Sequence, residues 1–283
     1  MIHNYYSIAD ITLKLESETV LQNNGMLKKF AVRETAPDVT VRICRVNALP
    51  ESGNNLLYKD ERRAVYEKDG RHLCYCCYFD AMKKSYVPYS CLIKKEEEYK
   101  LYIRFESSEL WDTMVLDALG FPDIMLSFGA AVMHCSFVIR NGKAILFTAD
   151  KQVGKSTQAS LWGKFAGARI INGDRAAIRM KNNALYAFGV PFCGSSDISV
   201  NEQAPVAAIV GLSQGKVNTL SALSPAAAFK CILGKLSYNI NDKEDAVRAA
   251  DIAVLASKVP VYHLSCLPDE GAVRLLEEEI WKH

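Results

Sequence analysis

No stretch of about 18 consecutive apolar residues occurs in this 283-residue chain, so no helix of it is expected to span a bilayer. Charge of one sign is equally scarce: 34 Lys and Arg stand against 32 Asp and Glu, a formal net charge of +2. Without a sustained basic field, neither nucleic acid nor an anionic membrane is an expected partner. The opening residues Met1-Ile2-His3-Asn4-Tyr5-Tyr6 lack the basic and apolar segments of a secretory leader. Repeats and low-complexity tracts are missing. The nine cysteines are odd in number and most sit inside apolar runs, where a free thiol behaves as a small hydrophobe. The tightest group, Cys74-Tyr75-Cys76-Cys77, has no second Cys or His pair close by and reads as part of a strand over 72–79. A reducing, cytoplasmic setting is the expectation.

What is present is a folding chain. Apolar residues make up 49% and charged residues 23%, the balance of a globular protein with material for one large or two ordinary domains. Up to about residue 106, apolar and polar residues alternate, as in Ile11-Thr12-Leu13-Lys14-Leu15 and Val39-Thr40-Val41-Arg42-Ile43. Turn signals such as Asp69-Gly70 separate these runs, so a mostly antiparallel β unit is expected. A helix then closes at Leu119-Gly120, with Pro122 beyond it. The boundary falls there, giving a β-rich domain over 1–122, suited to recognising a substrate or partner, and a second domain over 123–283.

The second domain changes texture. Residues 133–140 read as one strand, and Asn141-Gly142 is a strong two-residue hairpin signal into a partner strand over 143–148. Gly167-Ala168-Arg169-Ile170-Ile171 reads as another strand, with further strands at 176–180, 184–188 and 206–212. Helices are expected over 225–236, 242–258 and 269–281. The fold class is therefore α/β with a mixed sheet.

The run Ala144-Ile145-Leu146-Phe147-Thr148-Ala149-Asp150-Lys151-Gln152-Val153-Gly154-Lys155-Ser156-Thr157 carries the chemistry. A buried strand feeds a loop, and residues with helical spacing follow it, which is the context a phosphate-binding loop requires. Backbone N–H groups and the positive end of a helix converge there on an anion, a polyphosphate by preference. Ala149, Val153, Gly154, Lys155, Ser156 and Thr157 form the candidate nucleotide site. Lys155 is placed to reach β- and γ-phosphates, and the Ser156 hydroxyl to ligate Mg²⁺. Ala149 stands where the strict pattern has glycine, which the loop accommodates if φ stays negative. Asp150 and Lys151 read as solvent-facing spacers. Asp174, at the end of the strand after the loop's helix, returns to the same sheet edge and is the candidate metal carboxylate.

These residues carry a resemblance. From about 129 onward the chain resembles the catalytic domain of HPr kinase/phosphorylase, whose nucleotide fold is shared with ATP-dependent phosphoenolpyruvate carboxykinase. It rests on Met133-His134-Cys135-Ser136, the Ala149-to-Thr157 loop, Ala168-Arg169-Ile170-Ile171-Asn172-Gly173-Asp174-Arg175 and Gly189-Val190-Pro191-Phe192-Cys193-Gly194-Ser195. The resemblance implies ATP and Mg²⁺ as cofactors and transfer of the γ-phosphoryl group to a hydroxyl of a protein, peptide or small molecule. HPr kinases carry two adjacent aspartates at this strand end, whereas here the pair reads Gly173-Asp174. The base then falls to Asp174 or to His134, which the resemblance puts close to the phosphates and the single-strand reading puts on the hairpin partner of the loop's strand. Arg175 is a candidate γ-phosphate clamp, and Ser195, Ser196 and Asp197 are candidate acceptor contacts. His263 reads as structural. A nucleotide-binding protein without efficient transfer and a carboxykinase-like enzyme remain the alternatives, and self-association stays open.

Overall fold

The computed structural model describes residues 1–22, 25–95, 98–104, 110–194, 197–238 and 242–282. By internal packing the chain divides into two units, Met1–Ile124 and Met125–His283. Among the described residues, no helix is long and apolar enough to cross a membrane.

The first unit is built from β1 (Ile2–Ile8), β2 (Ile11–Ser17), β3 (Leu21–Gln22), β4 (Val39–Arg45), β5 (Asn55–Lys59), β6 (Arg63–Lys68), β7 (Arg71–Asp80), β8 (Ser85–Lys95), β9 (Glu98–Ile103) and β10 (Leu110–Trp111). Eight of these strands form one sheet in the order β1-β2-β4-β9-β8-β7-β6-β5. The alternation seen in the sequence becomes sidedness: Ile11, Leu13 and Leu15 of β2 are buried, as are Val39, Val41 and Ile43 of β4. Most pairings are antiparallel, as expected, but β4 runs parallel to both β2 and β9. Sheet character is therefore mixed in this unit too. Cys74, Cys76 and Cys77 lie on β7 and all nine cysteines are free thiols.

The helix expected to close at Gly120 is α1 (Asp112–Ala118), and Gly120 takes φ +59° after it. Pro122 does not lie beyond helical structure. It sits in the first turn of a second helix, α2 (Phe121–Ser127), where its missing N–H removes no intrahelical bond.

Among its described residues, the second unit holds a ten-stranded mixed sheet and, beyond the end of α2, four helices. Its strands are β11 (Ala130–His134), β12 (Ser136–Arg140), β13 (Lys143–Thr148), β14 (Arg169–Asn172), β15 (Arg175–Lys181), β16 (Ala184–Phe188), β17 (Gln203–Gln214), β18 (Thr219–Ala222), β19 (Leu236–Ser237) and β20 (Val261–Cys266). The helices are α3 (Lys155–Ala166), α4 (Pro225–Leu233), α5 (Lys243–Ala256) and α6 (Glu270–Ile280). The main path runs β14-β12-β13-β17-β16-β15-β11-β19, with β20 beside β17 and β18 on β20.

Strand β13 shows why the sheet is covered on both faces. Its residues from Ala144 to Thr148 are all buried, so neither side of the pleat meets water. Ala144 and Leu146 point into one core, with Ile232 of α4 and Ile252 and Ala253 of α5. Ile145 and Phe147 point into the other, with Trp162 of α3 and Val273 and Leu276 of α6. The Phe147 and Trp162 rings meet at 5.9 Å. Two apolar layers thus fix β13, and with it the chain that leaves its end.

The sequence suggests one strand over 133–140, and the structure breaks it. Ala130–His134 pairs with β15, whereas Ser136–Arg140 pairs with β13 and β14, and Cys135 lies between them. His134 is therefore on a neighbour of β15, not on the hairpin partner of β13. The hairpin itself turns at Asn141 and Gly142 with φ of +51° and +71°, as a two-residue primed turn demands.

Candidate functional site

Between Thr148 and α3 the backbone makes a tight loop. Val153 N–H donates to the Asp150 carbonyl at 3.4 Å, Gln152 sits at φ +67° and Gly154 at φ +124°. A side chain at 154 would meet no atom within 4 Å, so backbone conformation and not space calls for glycine there. Ala149 is not among the residues of positive φ and fits its position. Gly154 is the N-cap of α3 and supplies no side-chain cap, and the first turn holds no acidic residue. The first N–H groups of the helix lack intrahelical acceptors, and the positive end of the helix dipole lies with them.

Lys155 starts this helix and is buried. Its ammonium donates to two carbonyls of the loop, Ala149 at 3.1 Å and Asp150 at 3.4 Å. Among the described residues, no carboxylate lies within ion-pair distance of it. Burial pushes the Lys155 pKa down, against the more distant attraction of Asp174. Ser156 and Thr157, by contrast, are exposed.

Asp174 sits where β14 turns into β15. Its Oδ1 accepts from His134 Nε2 at 3.2 Å, and its Oδ2 lies 3.2 Å from Arg175 Nε. The hydrogen bond from His134 holds the carboxyl below its usual range; burial opposes it and the charges of Arg175 and Lys155 add to it. The Arg175 guanidinium also lies 5.2 Å from the centre of the Phe192 ring. So His134, Asp174 and Arg175 do come together, by the pairing of β11 with β15 and not by the hairpin. His263 lies on β20, paired with Gly211 and Ser221. Ser195 and Ser196 lie outside the described residues.

Four residues not singled out by the sequence hold this arrangement. Asn172, fully buried, accepts the N–H groups of Asp174 and Arg175 on Oδ1, both at 2.9 Å. Its Nδ2 donates to the carbonyls of Val190 at 3.1 Å and Phe192 at 2.6 Å, so one amide ties the Asp174 turn to the loop that follows β16. Ser136 donates to the Gly173 carbonyl at 2.9 Å, and Thr148 donates to the His134 carbonyl at 3.0 Å. Lys235 carries the carbonyl that accepts His134 N–H at 2.8 Å, and its ammonium lies 2.5 Å from Asp150. Asn two residues ahead of Asp174 was the one readable signal, an Asx turn. Lys235 is 85 residues from Asp150 and left no local trace.

Gly194 packs on the site at φ +55°, and a Cβ there would lie 2.9 Å from both Cβ and Cγ of Asp174. Replacing it by Ala is expected to cost about 1–2 kcal/mol, since a side chain in left-handed backbone is disfavoured and Asp174 must move. Urea unfolding measures this, and a variant as stable as the parent contradicts the packing.

No family model and no curated protein matches the chain. Among solved structures, the HPr(Ser) kinase/phosphatase of Coxiella burnetii is similar at 15% identity, over 53% of this chain and 92% of that chain, with a TM-score of 0.29. That likeness is too loose to transfer a residue.

Proposed function

We propose that the unit Met125–His283 binds a magnesium nucleoside triphosphate and transfers its γ-phosphoryl group to a hydroxyl, in the manner of an HPr kinase. One observation carries this reading. A buried ammonium, Lys155, donates to two backbone carbonyls and, among the described residues, has no carboxylate within ion-pair distance, at the uncapped start of a helix preceded by a glycine turn. A buried charge without a counter-ion is costly unless an anion completes the site, and phosphate is the anion that this loop geometry suits.

Metal chemistry fits the same residues. Among the described residues, no group of three or more His, Cys, Asp or Glu is able to hold an ion by itself. Mg²⁺ does not need one, because it binds through one or two side chains and takes its other ligands from phosphates and water. Ser156 and Asp174 are the proposed protein ligands. When bound, the metal neutralises charge developing on the phosphates. The chain's own groups do the rest. Lys155 and the helix N–H groups hold the polyphosphate in line, and Arg175 is assigned to the γ-phosphate. The acceptor hydroxyl gives its proton to His134 or Asp174 as its oxygen bonds to the γ-phosphorus. The bond from that phosphorus to the β–γ bridging oxygen breaks, and the nucleoside diphosphate leaves. Contact with the acceptor is assigned to the residues around 191–197, and the β-rich unit Met1–Ile124 is assigned by itself to recognising a substrate or partner.

Following the γ-phosphate of labelled ATP onto protein, peptide or small hydroxyl acceptors tests the reading. Label on an acceptor, lost in Asp174→Asn, is the expected result, and ATP binding without any transfer favours the second reading. That reading, nucleotide binding without efficient transfer, draws on Gly173 standing where a second carboxylate is expected. It yields a further expectation. Gly173 is not held at positive φ, so Gly173→Asp is compatible with the backbone. If transfer is limited by the missing base, this variant transfers phosphoryl about 10-fold faster or more. An unchanged rate places the limit elsewhere.

A further inference from the structure

The Gly-Lys-Ser-Thr loop contains a carboxylate. An acid inside a phosphate-binding loop works against the proposed ligand, because a second negative charge repels the incoming polyphosphate. Asp150 is that acid, and its side chain is largely exposed. It is not left bare. Lys235, at the turn between α4 and β19, reaches it at 2.5 Å, and that contact holds the Asp150 pKa below its ordinary value.

Lys235 is placed from its own main chain. Its carbonyl accepts the N–H of His134 at 2.8 Å, and its N–H donates to the Ile232 carbonyl at 2.9 Å at the end of α4. Strand β19, which begins at the next residue, pairs with Val132 and Met133 of β11. The Lys235 side chain is mostly shielded, while its partner carboxylate is not. Its charge is also felt at Lys155, where it adds to the larger effect of burial in lowering that ammonium's pKa. Two ammonium groups therefore bear on one loop. One rises from the start of α3, and the other comes from the turn that also anchors the His134 backbone.

We infer that Lys235 is a second phosphate-binding cation of this loop, held on Asp150 and exchanging that carboxylate for the β- or γ-phosphate of the ligand. The inference rests on the nucleotide-binding reading and adds to it a residue and an internal competitor. It has a distinctive consequence. If Asp150 competes with phosphate for Lys235, removing the Asp150 charge strengthens binding. If instead the Lys235–Asp150 pair merely braces the loop, removing either partner weakens binding alike.

The test is calorimetric titration of Lys235→Ala, Lys235→Arg, Asp150→Asn and the parent chain with magnesium ATP, inorganic pyrophosphate and AMP, each variant first checked by thermal unfolding. The His134 and Ile232 contacts use the Lys235 main chain, so the side-chain variants retain them. A charge-assisted phosphate contact predicts that Lys235→Ala weakens ATP and pyrophosphate by about 10–100-fold and AMP much less. Lys235→Arg keeps most of the affinity, and Asp150→Asn binds pyrophosphate as tightly as the parent or several-fold tighter. Equal weakening by Lys235→Ala and Asp150→Asn overturns the inference, as does full affinity in Lys235→Ala while the parent binds. A parent chain that binds neither ATP nor pyrophosphate fails at the earlier step, and the phosphate site falls with it.

Discussion

Lys155→Ala is expected to lose measurable ATP binding, or to weaken it by about 2–3 kcal/mol or more, since a buried charge-assisted phosphate contact disappears. At 25 °C that is roughly 30–150-fold in dissociation constant. The same variant is expected to fold as well as the parent. Lys155 donates to two loop carbonyls and, among the described residues, has no carboxylate within ion-pair distance, so its removal relieves a buried charge that lacks a close counter-ion. Thermal unfolding at or above the parent value, with ATP affinity gone, is the pattern a ligand-directed lysine gives. A structural lysine gives the reverse, with stability lost and affinity kept.

The second large effect divides binding from chemistry. His134 and Asp174 lie 3.2 Å apart, and the histidine side chain is 41% exposed, open to an acceptor hydroxyl. His134→Gln keeps a donor for the Asp174 carboxylate but has no basic nitrogen. It is expected to bind ATP normally and to transfer phosphoryl about 10²–10⁴-fold more slowly, the range for a lost acid–base group. Asp174→Asn removes the carboxylate that draws on both His134 and Arg175, and is expected to lower magnesium-dependent binding and transfer together. Single-turnover transfer beside equilibrium binding separates the two variants. If His134→Gln turns over at the parent rate, the histidine only orients Asp174, and the carboxylate takes the proton.

The sequence made the centre of the second unit readable because local rules act there without competition. Ala144 to Phe147 form an unbroken apolar run that only a strand covered on both faces tolerates, and Gly154 marks the turn into α3. Asn141-Gly142 turns as its residue types require. The break at Cys135 was not readable. His134, Cys135 and Ser136 continue a strand-like pattern, and nothing in a period of two announces that partners change from β15 to β13. The bond from Cys135 N–H to the Asp174 carbonyl, at 3.0 Å, decides it, and that is a tertiary contact.

Parallel pairing escaped for a related reason. Strand β4 alternates in the same way whether its neighbours run with it or against it, and it meets β9 only after the long excursion through β5 to β8. The site divides along the same line. Residues of the loop itself were legible from spacing. Asn172 left only its local Asx turn, and Ser136, Thr148 and Lys235 left no signal, because their roles arise from hydrogen bonds between segments apart in the chain.

Titrating the parent chain with magnesium ATP by calorimetry tests the central claim most directly. Saturable binding with one nucleotide per chain, competed by pyrophosphate and absent in Lys155→Ala, is the result the site geometry predicts. No heat and no competition with ATP, ADP or pyrophosphate, on a chain that unfolds cooperatively, contradicts it.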